Sequence, residues 1–165
     1  MFENSYKIRV TARAIVFHEG CVLLNCFGDG EYYNIPGGGM EKGESARLAA
    51  VREVREESGL EVSAGEFVFA LEYEPQTAKH VFGDGHRISF FFRCELLGSS
   101  MLSAPEIPDV NPDDPNLTSR PVWVPIAQLP EIPLVPRVNQ NLLRYFNTGT
   151  FDPVFFEEPY GQTIE

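Results

Sequence analysis

At 165 residues, 43% hydrophobic and 12% aromatic, the chain is about one domain long and has enough apolar content for a single sizeable core. Its formal net charge is −11, with 24 acidic residues against 13 basic ones and no run of Lys or Arg, which argues against long DNA or RNA as a partner. No segment is long and apolar enough to cross a membrane, the start MFENSYKIRV lacks the apolar run of a signal peptide, and Cys21, Cys26 and Cys94 form no C-x-x-C, so neither a disulfide framework nor a zinc site is suggested and a cytoplasmic protein is expected.

In chain order, YKIRVTARAIVF and CVLLNCF are β-rich runs on either side of His18-Glu19-Gly20 and read as a hairpin, the second run ending at Gly28-Asp29-Gly30. Tyr32 to Ile35 reads as a short strand leading into a glycine loop, followed by a helix over roughly 45–58 and a long β-rich run from Glu61 to Tyr73. EPQTAKHVFGDGH is a loop carrying Lys79, His80 and His86, and HRISFFFRCELL is a strong strand. SAPEIPDVNPDDPNLTSR, residues 103–120, is proline-rich, acidic and too long for a simple connection, so it reads as a lid or an insert. PVWVPI is a strand, AQLPEI a proline-interrupted turn, and Arg137 to Phe146 an amphipathic helix. These elements predict one domain over 1–149 with a mixed sheet between helices, and a tail over 150–165 without helical period.

The helix contains REVREES, which is poor helix design. Glu53, Glu56 and Glu57 stand at i, i+3 and i+4, where like charges oppose each other. With Ser45 as N-cap and Gly59 just past the end, Glu56 and Glu57 also meet the negative end of the helix dipole. Arg52 relieves part of this by pairing with Glu56, but Glu53 and Glu57 oppose each other with nothing basic between them on their side of the helix, since Arg55 points away. At 100° per residue the three glutamates share a side with Ala46, Ala49 and Ala50, while Leu48, Val51 and Val54 point elsewhere. Small neighbours leave room for a charged object, and clustered carboxylate oxygens suit hard cations such as Mg²⁺ or Mn²⁺. Just upstream, YNIPGGGMEKGES is a tight loop whose backbone can approach a ligand closely, although it has neither the Walker nor the G-x-G-x-x-G pattern.

Taken together, Gly38, five residues, Glu44, seven residues, then Arg52, Glu53, Val54, Arg55, Glu56, Glu57, Ser58, Gly59 and Leu60 fill every defined position of G-x5-E-x7-R-E-U-x-E-E-x-G-U. This stretch resembles the Nudix box. The resemblance implies an α/β fold, the Nudix α/β/α sandwich, with a mixed β-sheet and a loop-helix-loop catalytic motif. It implies a hydrolase that cuts the phosphoanhydride of a nucleoside diphosphate linked to some group X, using Mg²⁺ or Mn²⁺. Glu53, Glu56 and Glu57 would be metal ligands, the Gly38 carbonyl a further ligand, Arg52 the ion-pair partner orienting a glutamate, and Glu44 a support at the helix start. Because a polyphosphate is repelled by a chain of net charge −11, bound cations must reverse the local field, and the enzyme should be inert without them.

The general base is left open among the box glutamates and Glu72, Glu74, Glu95, Asp84 and Asp113. Base stacking is left open among Phe27, Tyr32, Tyr33, Trp123, Phe151 and Phe155, and His80 and His86 are candidates for substrate contact. Pro75 stands fifteen residues beyond Leu60, as in many relatives acting on ADP-ribose, which makes ADP-ribose the leading substrate and nucleoside triphosphates next. The partner is thus a small nucleotide, and a homodimer would suit the resemblance. Two other classes compete: a non-catalytic nucleotide-binding module, which would lack a box carboxylate, and an isoprenoid-diphosphate isomerase, which would need a catalytic cysteine such as Cys94 or Cys26.

Overall fold

A computed structural model of the protein describes residues 6–74, 85–105, 108–111 and 114–157. In order, its elements are β1 (Ile8–His18), β2 (Cys21–Phe27), β3 (Tyr32–Asn34), β4 (Gly37–Gly39), α1 (Ala46–Ser58), β5 (Glu61–Tyr73), β6 (His86–Leu97), β7 (Val110–Asn111) and β8 (Asp114–Pro125). A 3₁₀ segment (Ile126–Glu131), β9 (Leu134–Val135), α2 (Asn139–Thr148) and β10 (Phe155–Glu157) complete them. The strands form one mixed sheet in the order β10-β5-β6-β1-β2-β3-β9, with β4 on β1, β8 on β2 and β7 on β8.

Alternation along the strands decides which helix each residue meets. Ala12, Ala14 and Val16 of β1, Leu23 of β2 and Phe92 and Cys94 of β6 pack with Ala49, Ala50 and Val54 of α1. The opposite parity, Ile15 and Phe17, Val22 and Leu24, and Phe91, packs with Leu142 and Tyr145 of α2. The expected sandwich follows, with its two sides built differently. The α1 side is lined by small residues, which let the helix backbone approach the strands, while the α2 side is filled by aromatics, including Phe69 stacked between Phe91 and Phe151 at centroid distances of 4.0 Å each.

Helix α1 starts and stops where local chemistry tells it to. Ser45 is extended and its hydroxyl accepts a hydrogen bond from Leu48 N at 3.2 Å, while Gly59 turns left-handed at φ 74° and donates its N–H to Arg55 O. The expected helix face needs one correction. Val54 lies on the buried side together with Ala49, Ala50 and Glu57, so the alanines serve close packing on the sheet rather than clearance for an ion.

Three other expectations are revised. The β1–β2 hairpin is paired only beside its turn, Phe17↔Val22 and His18↔Cys21; farther back that edge of β1 carries β4, while its other edge runs parallel to β6 from Ile8↔His86 to Val16↔Cys94. Within 103–120 the residues from Asp114 onward are not loop: they extend β8, which aligns Ser119 with Phe27 and continues to Pro125 opposite Cys21. Finally, residues beyond 149 add Phe151 to the core and β10 to the sheet edge, parallel to Ala70–Glu72 of β5. No helix among the described residues is long and apolar enough to cross a membrane.

Truncating the stacked ring from the tail tests that last finding. Phe151→Ala is expected to destabilise the fold by about 3–5 kcal/mol, seen as a lower urea midpoint at unchanged slope. A loss below about 1 kcal/mol would show that the ring contributes little to the core.

Candidate active site

The glycine triplet is an edge strand. β4 pairs antiparallel with β1, aligning Gly37 with Arg13, Gly38 with Ala12 and Gly39 with Thr11. Side chains have no room here: a Cβ on Gly37 would lie 2.3 Å from Ala12 O, and one on Gly38 would lie 2.5 Å from Glu53 Oε1. Absence of side chains therefore lets the backbone of Gly38 rest directly against the Glu53 carboxylate.

Arg52 organises the neighbouring charges with all five of its N–H groups. Its Nε and Nη2 donate to the two Glu44 oxygens at 3.1 and 2.9 Å, Nη2 also donates to Gly39 O at 3.0 Å, and Nη1 donates to Glu53 Oε1 at 3.0 Å and Glu56 Oε2 at 3.1 Å. One cation thereby offsets the repulsion that the sequence reads in the helix. The hydrogen bond from Arg52 holds Glu44 below the usual carboxylate range, and the same partners push Arg52 itself upward. Glu44 in turn accepts from Glu41 N at 2.7 Å, which fixes the loop before the helix. Among the described residues no three His, Cys, Asp or Glu side chains converge closely enough to enclose a cation, since Arg52 draws Glu44, Glu53 and Glu56 to itself.

Glu57 is outside that network. It is only 5% exposed, and its Oε2 accepts from Asn25 Nδ2 at 3.0 Å and from Gly37 N at 3.1 Å, while its Oε1 is buried without a hydrogen-bond partner. Burial pushes its carboxyl up to about 8, with the Asn25 hydrogen bond opposing and the Asp109 charge adding to the rise. Glu53 is raised for the same leading reason, opposed by Arg52. A half-satisfied buried carboxyl of this kind needs either a proton or a cation.

The remaining candidates separate clearly. Glu72 is tied to His86 Nε2 at 2.7 Å, and His86 Nδ1 shares a hydrogen bond with the Tyr6 hydroxyl, so this histidine is held by protein partners. Glu95 pairs with Arg93 at 3.2 Å. Glu74 lies just past β5, and Pro75, Lys79, His80, Asp84 and Asp113 lie outside the described residues. Phe151 is in the core and cannot stack on a base, whereas Phe155 is half exposed. Tyr33 packs on the α2-side core, and Trp123 sits at the edge of the α1-side core with its Nε1 donating to Ser100 O at 2.9 Å. Phe27 and Tyr32 stack on each other at 4.3 Å, with the Tyr32 hydroxyl accepting from Asn111 Nδ2. Cys26 and Cys94 are buried, and burial pushes the Cys94 thiol up to about 11, the opposite of what a nucleophile needs.

Two residues were missed from sequence. Asn25 is the lone amide within the apolar run CVLLNCF, a signal that a buried partner awaits it. Asp109 reaches the site because Ser119 clamps its backbone from both directions, Ser119 N donating to Asp109 O at 2.9 Å and Asp109 N donating to Ser119 Oγ at 3.0 Å; its only sequence signal was membership of the acidic loop.

Comparison with known proteins adds the family. The NUDIX domain model matches residues 7–146. No curated protein matches the chain. Among solved structures it is similar to the ORF135 protein of E. coli, 28% identical over 87% of this chain and 91% of that one, at TM-score 0.56. It shares its fold with an ADP-ribose pyrophosphatase from Streptococcus suis, 22% identical over 90% and 98% at TM-score 0.60, and with a MutT Nudix hydrolase from Burkholderia pseudomallei, 18% identical over 84% and 97% at 0.61. With a family match running from β1 into α2 and every box position filled between Gly38 and Leu60, the chain belongs to the Nudix hydrolase family.

Proposed function

We propose that the protein hydrolyses the phosphoanhydride of a nucleoside diphosphate linked to a second group, with ADP-ribose as the leading substrate and nucleoside triphosphates next, and that it depends on Mg²⁺ or Mn²⁺. The observation that supports this most directly is the unpartnered, buried Oε1 of Glu57 beside Glu53, which is itself seated against a glycine with no side chain. The all-oxygen donor chemistry suits a hard divalent cation, and Glu53, Glu56, Glu57 and the Gly38 carbonyl are the residues that would hold it once Glu53 and Glu56 turn from Arg52 toward it. When bound, such a cation neutralises diphosphate oxygens and lowers the pKa of a water.

The protein's own groups do the rest. Arg52 holds Glu53 and Glu56 aimed to one side of the helix, and Glu44 keeps Arg52 in place. Asn25 and the Gly37 N–H hold one oxygen of Glu57 so that the other faces away from them. The water's proton passes to a box glutamate or to Asp109, whose charge acts on both Glu53 and Glu57. The ADP-ribose choice is supported by Pro75 and by a fold relative of that activity, while the MutT relative keeps triphosphates second.

Product analysis on ADP-ribose, 8-oxo-dGTP, NADH and diadenosine polyphosphates, with and without Mg²⁺, tests the proposal. Cleavage of ADP-ribose to AMP and ribose phosphate only when the cation is present is the expected result, and no cleavage of any member would overturn it. Glu53→Gln and Glu57→Gln should each lower turnover about a thousandfold or more while the protein stays folded. Near-normal rates in both would remove the ligand assignment.

A pH experiment follows from Glu57. Its folded carboxyl titrates near 8 rather than 4.5, so the stabilisation from keeping the proton is complete at acid pH and drains away as pH rises between those values. Metal-free protein should therefore lose thermal stability from pH 5.5 to 8.5, and Mg²⁺ should raise the melting temperature more at pH 8.5 than at 5.5, because cation and proton compete. A Mg²⁺ shift independent of pH would contradict this, and Glu57→Gln should flatten both trends.

A further inference from the structure

Strand β4 separates two surfaces of different charge. Glu53 lies against Gly38 on the α1 side, whereas Arg9 and Arg13 belong to the other parity of β1, with Arg13 opposite Gly37 and Arg9 two positions before the residue opposite Gly39. Arg9 Nη2 lies 3.2 Å from where a Cβ on Gly39 would stand, so its guanidinium also rests on the glycine backbone. The parallel register brings Arg87 of β6 beside Arg9, and between this pair and Arg13 the Thr11 and Ser89 hydroxyls are buried and bonded to each other at 2.6 Å.

Three guanidiniums thus gather on one patch of a chain with 24 acidic and only 13 basic residues. Arg87 registers the crowding: burial, then the charges of Arg9 and Arg13, push it down to about 10. Among the described residues, neither Arg9 nor Arg13 forms an ion pair, Arg9 donates no hydrogen bond, and Arg13 makes a single side-chain one, from Nη1 to Ile35 O at 2.6 Å. Arg13 is also close enough to Glu57 for its charge to act on that carboxyl. A cavity of about 840 Å³ is lined by both Arg9 and Glu53, with Gly39 and Phe90 among its other walls, so a ligand held at the box glutamates reaches Arg9 without leaving it.

We propose that Arg9 and Arg13 form the binding site for a phosphate group of the nucleotide substrate that is additional to the diphosphate being cleaved. The guanidinium fork matches phosphate oxygens bidentately, and two such forks offer more N–H groups than the two oxygens of a carboxylate accept. Because the β4 glycines carry no side chains, one molecule can lie across them, its diphosphate on the glutamate side and its further phosphate on the arginine side. That phosphate is either the terminal group of a triphosphate or a monoester on the group X. This inference rests on the hydrolase reading for the identity of the ligand, but not for the presence of the oxyanion site.

Two measurements decide it. In the first, pyrophosphate is titrated calorimetrically into protein in EDTA, where the box glutamates carry no cation. Salt-sensitive binding is expected, weakened about tenfold or more by Arg9→Ala, a substitution that breaks no hydrogen bond of the fold; Arg13→Lys, which keeps the charge but loses the fork, should weaken it less. In the second, KM is compared within two pairs, a nucleoside triphosphate against its diphosphate and ADP-ribose phosphorylated on a ribose hydroxyl against ADP-ribose. The proposal expects one pair to show about a tenfold lower KM for the member with the extra phosphate, and Arg9→Ala to erase that difference while changing kcat far less. The responding pair identifies the source of the phosphate. Binding in EDTA without cleavage of any nucleotide would leave the oxyanion site standing and remove the hydrolase reading. Cleavage with pyrophosphate binding and both KM ratios untouched by Arg9→Ala would overturn the site alone.

Discussion

The burial of the Glu57 carboxyl between the sheet and α1 is the constraint to which the rest of the site answers. Ala12, Ala14, Ala49 and Ala50 let the helix settle close enough to the strands for a side chain of its last turn to reach Asn25 on β2 and the Gly37 amide on β4. Only one carboxyl oxygen is satisfied there. The free energy of leaving the other without a partner is offset by packing elsewhere, and it is recovered whenever a cation or proton arrives.

Charge is distributed around this point with a clear division of labour. Arg52 collects Glu44, Glu53 and Glu56, so three negative charges spread from before the helix start to its last turn become a fixed array. Glu57 receives no such cation in contact, only the more distant Arg13 and the dipoles of an amide side chain and a backbone N–H. The consequence is a pair of neighbouring glutamates in different electrostatic states, one neutralised by an ion pair and one poised near neutral pH. Across the glycine strand the sign of the field reverses, where Arg9, Arg13 and Arg87 stand together. A strand of three glycines is what allows two fields so unlike to lie one backbone apart.

Much of this could be read from residues alone, and the reasons are local. Ser45 and Gly59 bound the helix because a hydroxyl and a left-handed glycine satisfy groups within four residues of themselves. The box residues were legible because their spacing is a property of one contiguous segment. Asn25 was not, since its meaning depends on Glu57, 32 positions later, and Asp109 was not, since only the Ser119 clamp carries it to the site. The tail misled because Phe151 has no periodic neighbours; its place is set by the ring of Phe69 waiting in the core.

The sequence by itself determined the helix, its caps, the carboxylate pattern and the family chemistry those residues imply, because each rests on interactions between near neighbours along the chain. Tertiary structure alone decided that β1 lies parallel to β6, that Glu57 is buried with one oxygen unpaired, and that Arg9 and Arg13 flank the glycines opposite Glu53. Those outcomes depend on strand register and on how closely a helix of small residues can approach a sheet, and neither is written in any single stretch of residues.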